Sequence, residues 1–194
     1  TDEAIDKRFT HYVEAIQLPA RTEEQRLKEK LLASDLQPAN FKMGLKKMRA
    51  EADIFREINL ELLVEEQKLK AEYNRLLGSQ SVLWEGAERT ASQMRALLFE
   101  KDRALREKAW RAAVDARLKS RADVNDIWKK FMAVRLKIAR NAGLPDYRSY
   151  VWAQRFRFDY SPEDCKTFHK AIEEMVVPAV KRIYEKRVKK LGTE

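Results

Sequence analysis

The sequence predicts an all-α fold of mainly long antiparallel helices, with one small β-hairpin near residues 80–90. Only 5 glycines and 5 prolines occur among the 194 residues, well below the roughly 12% of average usage, which disfavours loop-rich sandwiches and barrels. Charged residues make up 37% of the chain and apolar residues 44%, a mixture typical of amphipathic helices and too apolar for a disordered chain. Apolar residues also recur every three or four positions through most of the sequence.

Composition also excludes several classes of protein. Charges recur every few positions, so no stretch approaches the roughly 18 apolar residues of a membrane span, and we expect no membrane partner. The single cysteine, Cys165, cannot form an internal disulfide, which favours a reducing compartment and a cytoplasmic location. The chain starts at Thr1 without a signal peptide and ends just past a helical pattern, so we expect a segment of a longer protein.

The apolar spacing over residues 2–77 predicts helical hairpins. Residues 2–16 carry a helical stripe that ends at Leu18-Pro19, and Thr22 with Gln25 three positions later predicts a capping box at the start of a second, short helix. From residue 41 to residue 77 the spacing predicts one long helix, because apolar residues alternate in steps of three and four. The positions of this heptad seam are Phe41, Leu45, Met48, Ala52, Phe55, Asn59, Leu62, Glu66, Leu69, Tyr73 and Leu76.

Two interpretations of the seam are open. It could form a self-associating coiled coil, or it could pack inside its own domain, with Asn59 and Glu66 as polar interruptions. The second is favoured by extra apolar residues beside the seam, at Ile58, Leu60 and Leu63, because a globular helix has a broader apolar stripe.

Residues 78–90 predict a hairpin with Gly86 at the turn. Residues 91–192 predict further helices, of which the first ends near Phe99. The next two run from Arg103 to Lys119, capped by Asp102, and from Asp123 to Ala142, with Trp110 and Trp128 on their inner faces. A short helix over 146–152 follows, then an extended stretch over 155–160. The last helix begins at Ser161-Pro162-Glu163-Asp164, a strong N-terminal signal, and is kinked or divided at Pro178.

Cys165, His169 and Glu173 are candidate metal ligands, because their positions i, i+4 and i+8 place them on one face of a helix. Structural zinc needs four ligands that come from more than one element, and these three span about 12 Å of helix. We therefore expect no metal here, and interpret Cys165 as a small core residue and His169 as half-buried. No nucleophile motif or phosphate loop is present, and adjacent acids such as Glu65 and Glu66 diverge on a helix.

Charge is concentrated in residues 100–157, which hold 16 basic and 7 acidic residues and a net +9. This basic block also contains Trp110, Trp128, Tyr147, Tyr150, Trp152 and Phe156. Nucleic-acid binding is one interpretation. We favour a positive rim that faces an anionic substrate group or another domain, and expect no nucleic-acid partner, because most of these aromatic residues fall on inner helical stripes.

Several motifs follow one another along the chain: the hairpin 78–86 and the segments 102–110, 139–150, 157–165, 168–169 and 176–178. Together they resemble the N-terminal helical region of oligoendopeptidase F-like zinc metallopeptidases, zincin-type relatives of thimet oligopeptidase. The resemblance covers essentially the whole chain and is strongest over residues 78–192.

The resemblance implies helical halves that enclose a deep channel, with a zinc site on a helix bearing His-Glu-x-x-His and short peptides as substrates. Here Tyr12 follows His11 and Lys170 follows His169, so no catalytic residue or zinc ligand is carried over. We expect zinc only in the parent enzyme, a C-terminal catalytic region as partner, and a chain that is inactive alone.

Three residues are candidates for contact with a peptide in that channel: Tyr150, Arg155 and Arg157. The simpler expectation is that they support the fold, with the chain as a whole forming part of the channel wall.

Overall fold

A computed structural model describes residues 3–192, and these are helical except for one two-stranded antiparallel hairpin and short connections. The predicted all-α fold with a small hairpin is confirmed. The predicted helix start at Asp2 and the chain end at Thr193 and Glu194 lie outside the described residues. In order, the elements are α1 (Glu3–Tyr12), α2 (Leu18–Ala33), α3 (Lys42–Ile54), α4 (Asn59–Gly78), β1 (Ser81–Trp84), β2 (Ala87–Thr90), α5 (Ala91–Ala96), α6 (Arg103–Lys119), α7 (Arg121–Asn141), α8 (Tyr147–Gln154), α9 (Pro162–Ala171) and α10 (Val177–Leu191). The chain divides into two compact units, residues 1–151 and residues 152–194.

The first helices run on from one another without the predicted boundary. A π-helical segment, Val13–Gln17, joins α1 directly to α2, and Pro19 is the second residue of α2. The predicted capping box at Thr22 is wrong, because Thr22 lies inside α2. Proline lacks an N–H and would interrupt the hydrogen bonds of an α-helix. The π segment just before Pro19 has a different hydrogen-bond spacing, from residue i to residue i+5, and the helix continues through this change.

The predicted single helix over 41–77 is also wrong, because the chain breaks between α3 and α4. Phe55 is extended, with φ −67° and ψ 133°, and no glycine or proline marks the position. The guanidinium of Arg56 donates to the backbone oxygens of Asp53 and Phe55. These bonds satisfy carbonyls that the end of α3 leaves open.

Helix α4 packs against α7, and the two helices are antiparallel. Asn59 at the start of α4 bonds residues at the end of α7, while the C-terminal part of α4 lies beside the start of α7. Leu60 and Leu69 of α4 are buried, as are Ile127, Phe131, Val134, Ile138 and Ala139 of α7. The seam therefore packs inside its own domain.

A second core lies around the hairpin. Glu85 and Gly86 both have positive φ, 51° and 82°, as a two-residue hairpin turn requires. The predicted turn at Gly86 is confirmed. Val82 and Trp84 on one face of β1 pack with Met94 of α5 and Ala109 of α6.

Most boundaries in residues 91–154 are confirmed. Asp102 caps α6 by accepting a bond from the Ala104 N–H at 2.8 Å. Gly143, with φ 76°, ends α7. Two predictions in this region are wrong, because Trp110 and Trp128 do not lie on the inner faces of α6 and α7. Trp110 is 53% exposed and Trp128 is 57% exposed. The residues just before them in sequence, Ala109 and Ile127, are buried instead.

In the second unit, α9 begins where predicted, with the Ser161 hydroxyl as its cap; Ser161 and Asp164 form a reciprocal capping box there. A π-helical segment, Ile172–Val176, separates α9 from α10, and Pro178 is the second residue of α10. The sequence predicted a kink or a division at Pro178; as at Pro19, the helical register changes in the π segment just before the proline, and the helix continues through it. The predicted extended stretch over 155–160 is wrong, since it forms turns and bends and Phe156 has a φ of 55°.

Candidate functional site

The most enclosed charged group in the first unit is Glu66, in the middle of α4. Its Oε1 accepts a bond from Arg135 Nε at 2.8 Å and from the Tyr147 hydroxyl at 3.0 Å. Lys70 Nζ lies 3.4 Å from Oε2. The side chain of Glu66 is only 5% exposed, so this buried acid is held by three donors from α4, α7 and α8.

Local sequence explains how the three helices meet at this acid. Arg135 lies on α7, where its guanidinium also sits over the rings of Phe131 and Tyr147, at 4.4 and 5.1 Å. Tyr147 begins α8 after the turn at Gly143. Its ring stacks on that of Tyr150 at 5.8 Å, with 17° between the planes.

Electrostatics keep Glu66 ionised. Burial works to raise the pKa of Glu66, but the bond from Arg135, the charge of Lys70 and the bond from Tyr147 together hold that pKa below its usual value. Burial, and then the Glu66 charge, raise the pKa of Tyr147 to about 12. The two bonds to Oε1 come from α7 and α8, so the ionised carboxylate connects both of these helices to α4. The arrangement therefore acts as a cross-link between helices.

A second polar contact lies one heptad earlier on α4. The side chain of Asn59 donates to the Ile138 backbone oxygen at 3.0 Å and accepts from Asn141 at 2.8 Å. The sequence predicted Asn59 and Glu66 as polar interruptions of the seam. In the structure, these two residues form hydrogen bonds that connect the seam to α7. Their seven-residue spacing was the available signal; their partners lie far away in sequence.

Of the candidate peptide contacts, Tyr150 lies in the first unit and is 5% exposed. Burial raises the pKa of its hydroxyl. Its ring is therefore part of the packing between α8 and the rest of this unit, and it offers little surface to a ligand.

The other two candidates lie in the second unit. Arg155 is exposed, while Arg157 is half-buried over the rings of Trp152 and Tyr160, at 4.7 and 5.9 Å. Those two rings meet edge to face at 5.3 Å. Arg157 thus supports the turn after α8, and Arg155 remains the accessible cation.

The residues present do not fit a zinc site. Cys165 and His169 lie on α9, but Glu173 falls in the π-helical segment, where the helical register changes. His169 is exposed rather than half-buried, and Cys165 is only half-buried. Within residues 3–192 no three His, Cys, Asp or Glu side chains are grouped as metal ligands. We therefore derive no chemistry through a metal in this chain.

The second unit instead presents a large apolar surface. None of the described residues of α9, the following π segment or α10 is buried. The exposed apolar side chains form what we call the α9–α10 apolar face: Phe168, Met175, Val176, Val177, Val180, Ile183, Tyr184, Val188 and Leu191. A surface of this kind marks a contact with another structure. None of the described helices has the length and hydropathy of a membrane span.

Comparison with known proteins identifies the family. The model of peptidase family M3 matches residues 96–194, just over half of the chain. The chain belongs to peptidase family M3. Most of the motifs that carry the resemblance lie in the matched M3 region, which includes α6–α10. No curated protein matches the chain.

Three solved structures share the fold over all of this M3 chain. PZ peptidase A with inhibitor 2 has a TM-score of 0.92 and 24% identity. A protein described as an oligoendopeptidase F has a TM-score of 0.87 and 20% identity, as does another from Bacillus anthracis str. Ames. The chain spans only 35–36% of the length of these structures.

Proposed function

We propose that this chain is the N-terminal helical segment of a zinc-dependent M3 peptidase that hydrolyses short peptides, and that it forms part of the wall of the substrate channel. The observation that carries the proposal is the M3 match over residues 96–194. The fold similarity to PZ peptidase A, which covers all of this chain and 35% of that protein at a TM-score of 0.92, supports it.

The wall role is supported by how the chain uses its charged residues. Glu66, the one buried acid among the described residues, joins three helices through Arg135, Tyr147 and Lys70 and so acts as a structural cross-link. A rigid helical wall restricts access by size, so the segment would exclude folded proteins and orient peptides while the bond is cleaved elsewhere.

The partners follow from the same proposal. Zinc and the catalytic base would come from a C-terminal catalytic region, with the zinc supplying the activation of water. The exposed Arg155 is the described candidate best placed to meet a peptide, since Tyr150 and Arg157 are engaged in packing. We also propose a cytoplasmic location, as the single cysteine favours.

A direct experiment tests whether catalysis lies outside this chain. The purified 194-residue chain should hold no stoichiometric zinc by metal analysis and should not cleave an internally quenched short peptide, with or without added zinc. Chelator-sensitive cleavage by the chain alone would overturn the proposal.

A helical interaction module is the second candidate, and the exposed Trp110 and Trp128 within the basic block favour it. In that case the chain would be retained on DNA or RNA in a salt-dependent way. Absence of such retention, with a monomer in light scattering, would favour the peptidase wall. Dimerisation alone does not decide, because an uncovered apolar face can also self-associate.

A further inference from the structure

The α9–α10 apolar face contains a cation. Ile183, Arg187 and Leu191 follow one another at i, i+4 and i+8 on α10, so the guanidinium lies in line with two apolar side chains. Tyr184 and Val188 form the neighbouring row. All five are exposed. Among the described residues, Arg187 makes no ion pair.

The rest of α10 does not compensate this charge. The helix carries six basic residues and one acid, Glu185. Glu185 lies two positions before Arg187, so about 200° of helical rotation separates them and the two side chains face different sides. Arg182 and Lys189 lie on the side opposite the apolar face. A partner that covers the apolar face must therefore supply the group that neutralises the charge of Arg187.

Covering the face takes Arg187 out of water. A buried guanidinium is tolerated only when it is paired and hydrogen-bonded, and the planar guanidinium matches a carboxylate in two parallel bonds. The surface that fits α10 is therefore apolar, with a carboxylate opposite Arg187.

We propose that the α9–α10 apolar face docks onto the catalytic region of an M3 peptidase, through an apolar surface that places an Asp or Glu carboxylate against Arg187. This rests on the proposed function, because that function supplies the partner. The M3 match runs through α9 and α10, and the matched structures are nearly three times the length of this chain.

Two other occupants are disfavoured by charge. A second copy of α10 would bring another helix with six basic residues and one acid onto Arg187. A lipid surface would take the flanking lysines into the headgroup layer but would push Arg187 toward the acyl chains, where a charge is costly.

The test is site-specific photo-crosslinking in the natural protein that contains this chain, expressed in its source cells. Benzoylphenylalanine replaces Ile183, on the apolar face, or Arg182, on the opposite side of α10. Mass spectrometry should join position 183 to a peptide from the region that carries His-Glu-x-x-His, in the same or another polypeptide, and position 182 should give no such adduct.

The charge is tested in the same experiment. Arg187→Glu should lower the yield of the Ile183 crosslink by at least about tenfold, as expected for a desolvated charge pair. Arg187→Lys keeps the charge but loses the bidentate geometry, so its yield should fall between those of wild type and Arg187→Glu, and Arg182→Glu should change the yield less than twofold.

Several results would overturn the inference: adducts between two copies of residues 162–191, adducts to lipid, nucleic acid or an unrelated protein, no adduct at all, or an Arg187→Glu yield equal to wild type. Chelator-sensitive peptide cleavage by the same preparation is measured separately. If cleavage is present, failure of the crosslink refutes the docking surface alone; if it is absent, the proposed function fails as well.

Discussion

Glu66 holds its charge among buried residues because donors from three helices converge on one carboxylate. Arg135 and Tyr147 both bond Oε1, at 2.8 and 3.0 Å. Removing one member of such a group leaves the others desolvated and uncompensated, which costs more than the net contribution of the intact pair. The cluster therefore specifies how α4, α7 and α8 are aligned.

We expect Glu66→Gln to lower the free energy of unfolding by about 2–3 kcal/mol, less than the roughly 3–5 kcal/mol of a fully buried pair, because Arg135 is partly exposed. Urea denaturation followed by circular dichroism measures this. Glu65→Gln is the matched control on the same helix: Glu65 is exposed, so its effect should stay within about 0.5 kcal/mol. Equal effects of the two variants would contradict a buried cross-link.

The same cluster predicts an acid dependence of stability. Because the pKa of Glu66 is lower in the folded than in the unfolded state, its contribution is present above the usual glutamate pKa of about 4.3 and is lost as pH falls below it. The stability gap between wild type and Glu66→Gln should therefore shrink between pH 6 and pH 3. The lowered pKa values of Asp146 and Asp164 act in the same direction but are common to both proteins. A gap independent of pH would contradict the charge assignment.

For single residues, the sequence indicates which polar positions are unusual but does not indicate which residues they bond. Asn59 and Glu66 stand out as polar positions in an apolar seam. Their bonding partners Asn141 and Tyr147 lie 82 and 81 residues further on, and no local pattern connects them. The predicted burial of Trp110 and Trp128 is wrong for a related reason. Helical periodicity predicts an apolar stripe but not which edge of that stripe other helices cover.

At the scale of elements, the best-predicted boundaries are those in which local chemistry leaves few alternatives. Ser161-Pro162-Glu163-Asp164 correctly predicts a helix start with a hydroxyl cap. The similar pattern at Thr22 and Gln25 is wrong, because the π segment carries the helix past Pro19. The break at Phe55 has no glycine or proline signal; bonds from the Arg56 side chain and the packing of α4 on α7 accompany it.

The hairpin turn offers a matched pair of glycine substitutions. Gly86→Ala should lower the free energy of unfolding by about 1–2 kcal/mol, since Gly86 has a φ of 82° and a side chain is strained there. Gly78→Ala should raise it by about 0.5–1 kcal/mol, because Gly78 ends α4 with open space around it and without a positive φ. Thermal denaturation of both variants measures the difference. The turn assignment is contradicted if both substitutions stabilise the chain.

At the scale of the whole molecule, exposed apolar surface distinguishes this chain from a self-contained domain. The α9–α10 apolar face contains nine large exposed apolar residues, and the chain spans about a third of the matched M3 structures. Composition predicted amphipathic helices but not that one apolar face would lack a partner within the described residues. The family resemblance implied a C-terminal catalytic region as partner, but not which face would meet it.

Charge placed on this face should change the surface of the isolated chain without unfolding it. We expect the double variant Ile183→Glu with Leu191→Glu to reduce the fluorescence of the apolar dye ANS, because both residues are 63% exposed. Its free energy of unfolding should stay within about 1 kcal/mol of wild type. Arg182→Glu, on the opposite side, controls for the change in charge. Undiminished dye binding would indicate that the face is covered.

We propose that this chain is a non-catalytic wall segment of an M3 peptidase. The proposal is tested by comparing cleavage of one internally quenched short peptide by the purified 194-residue chain and by the natural protein that contains it. We predict chelator-sensitive cleavage by the natural protein and none by the chain alone. Cleavage by the isolated chain, or no peptide cleavage by the natural protein, would refute the proposed wall role.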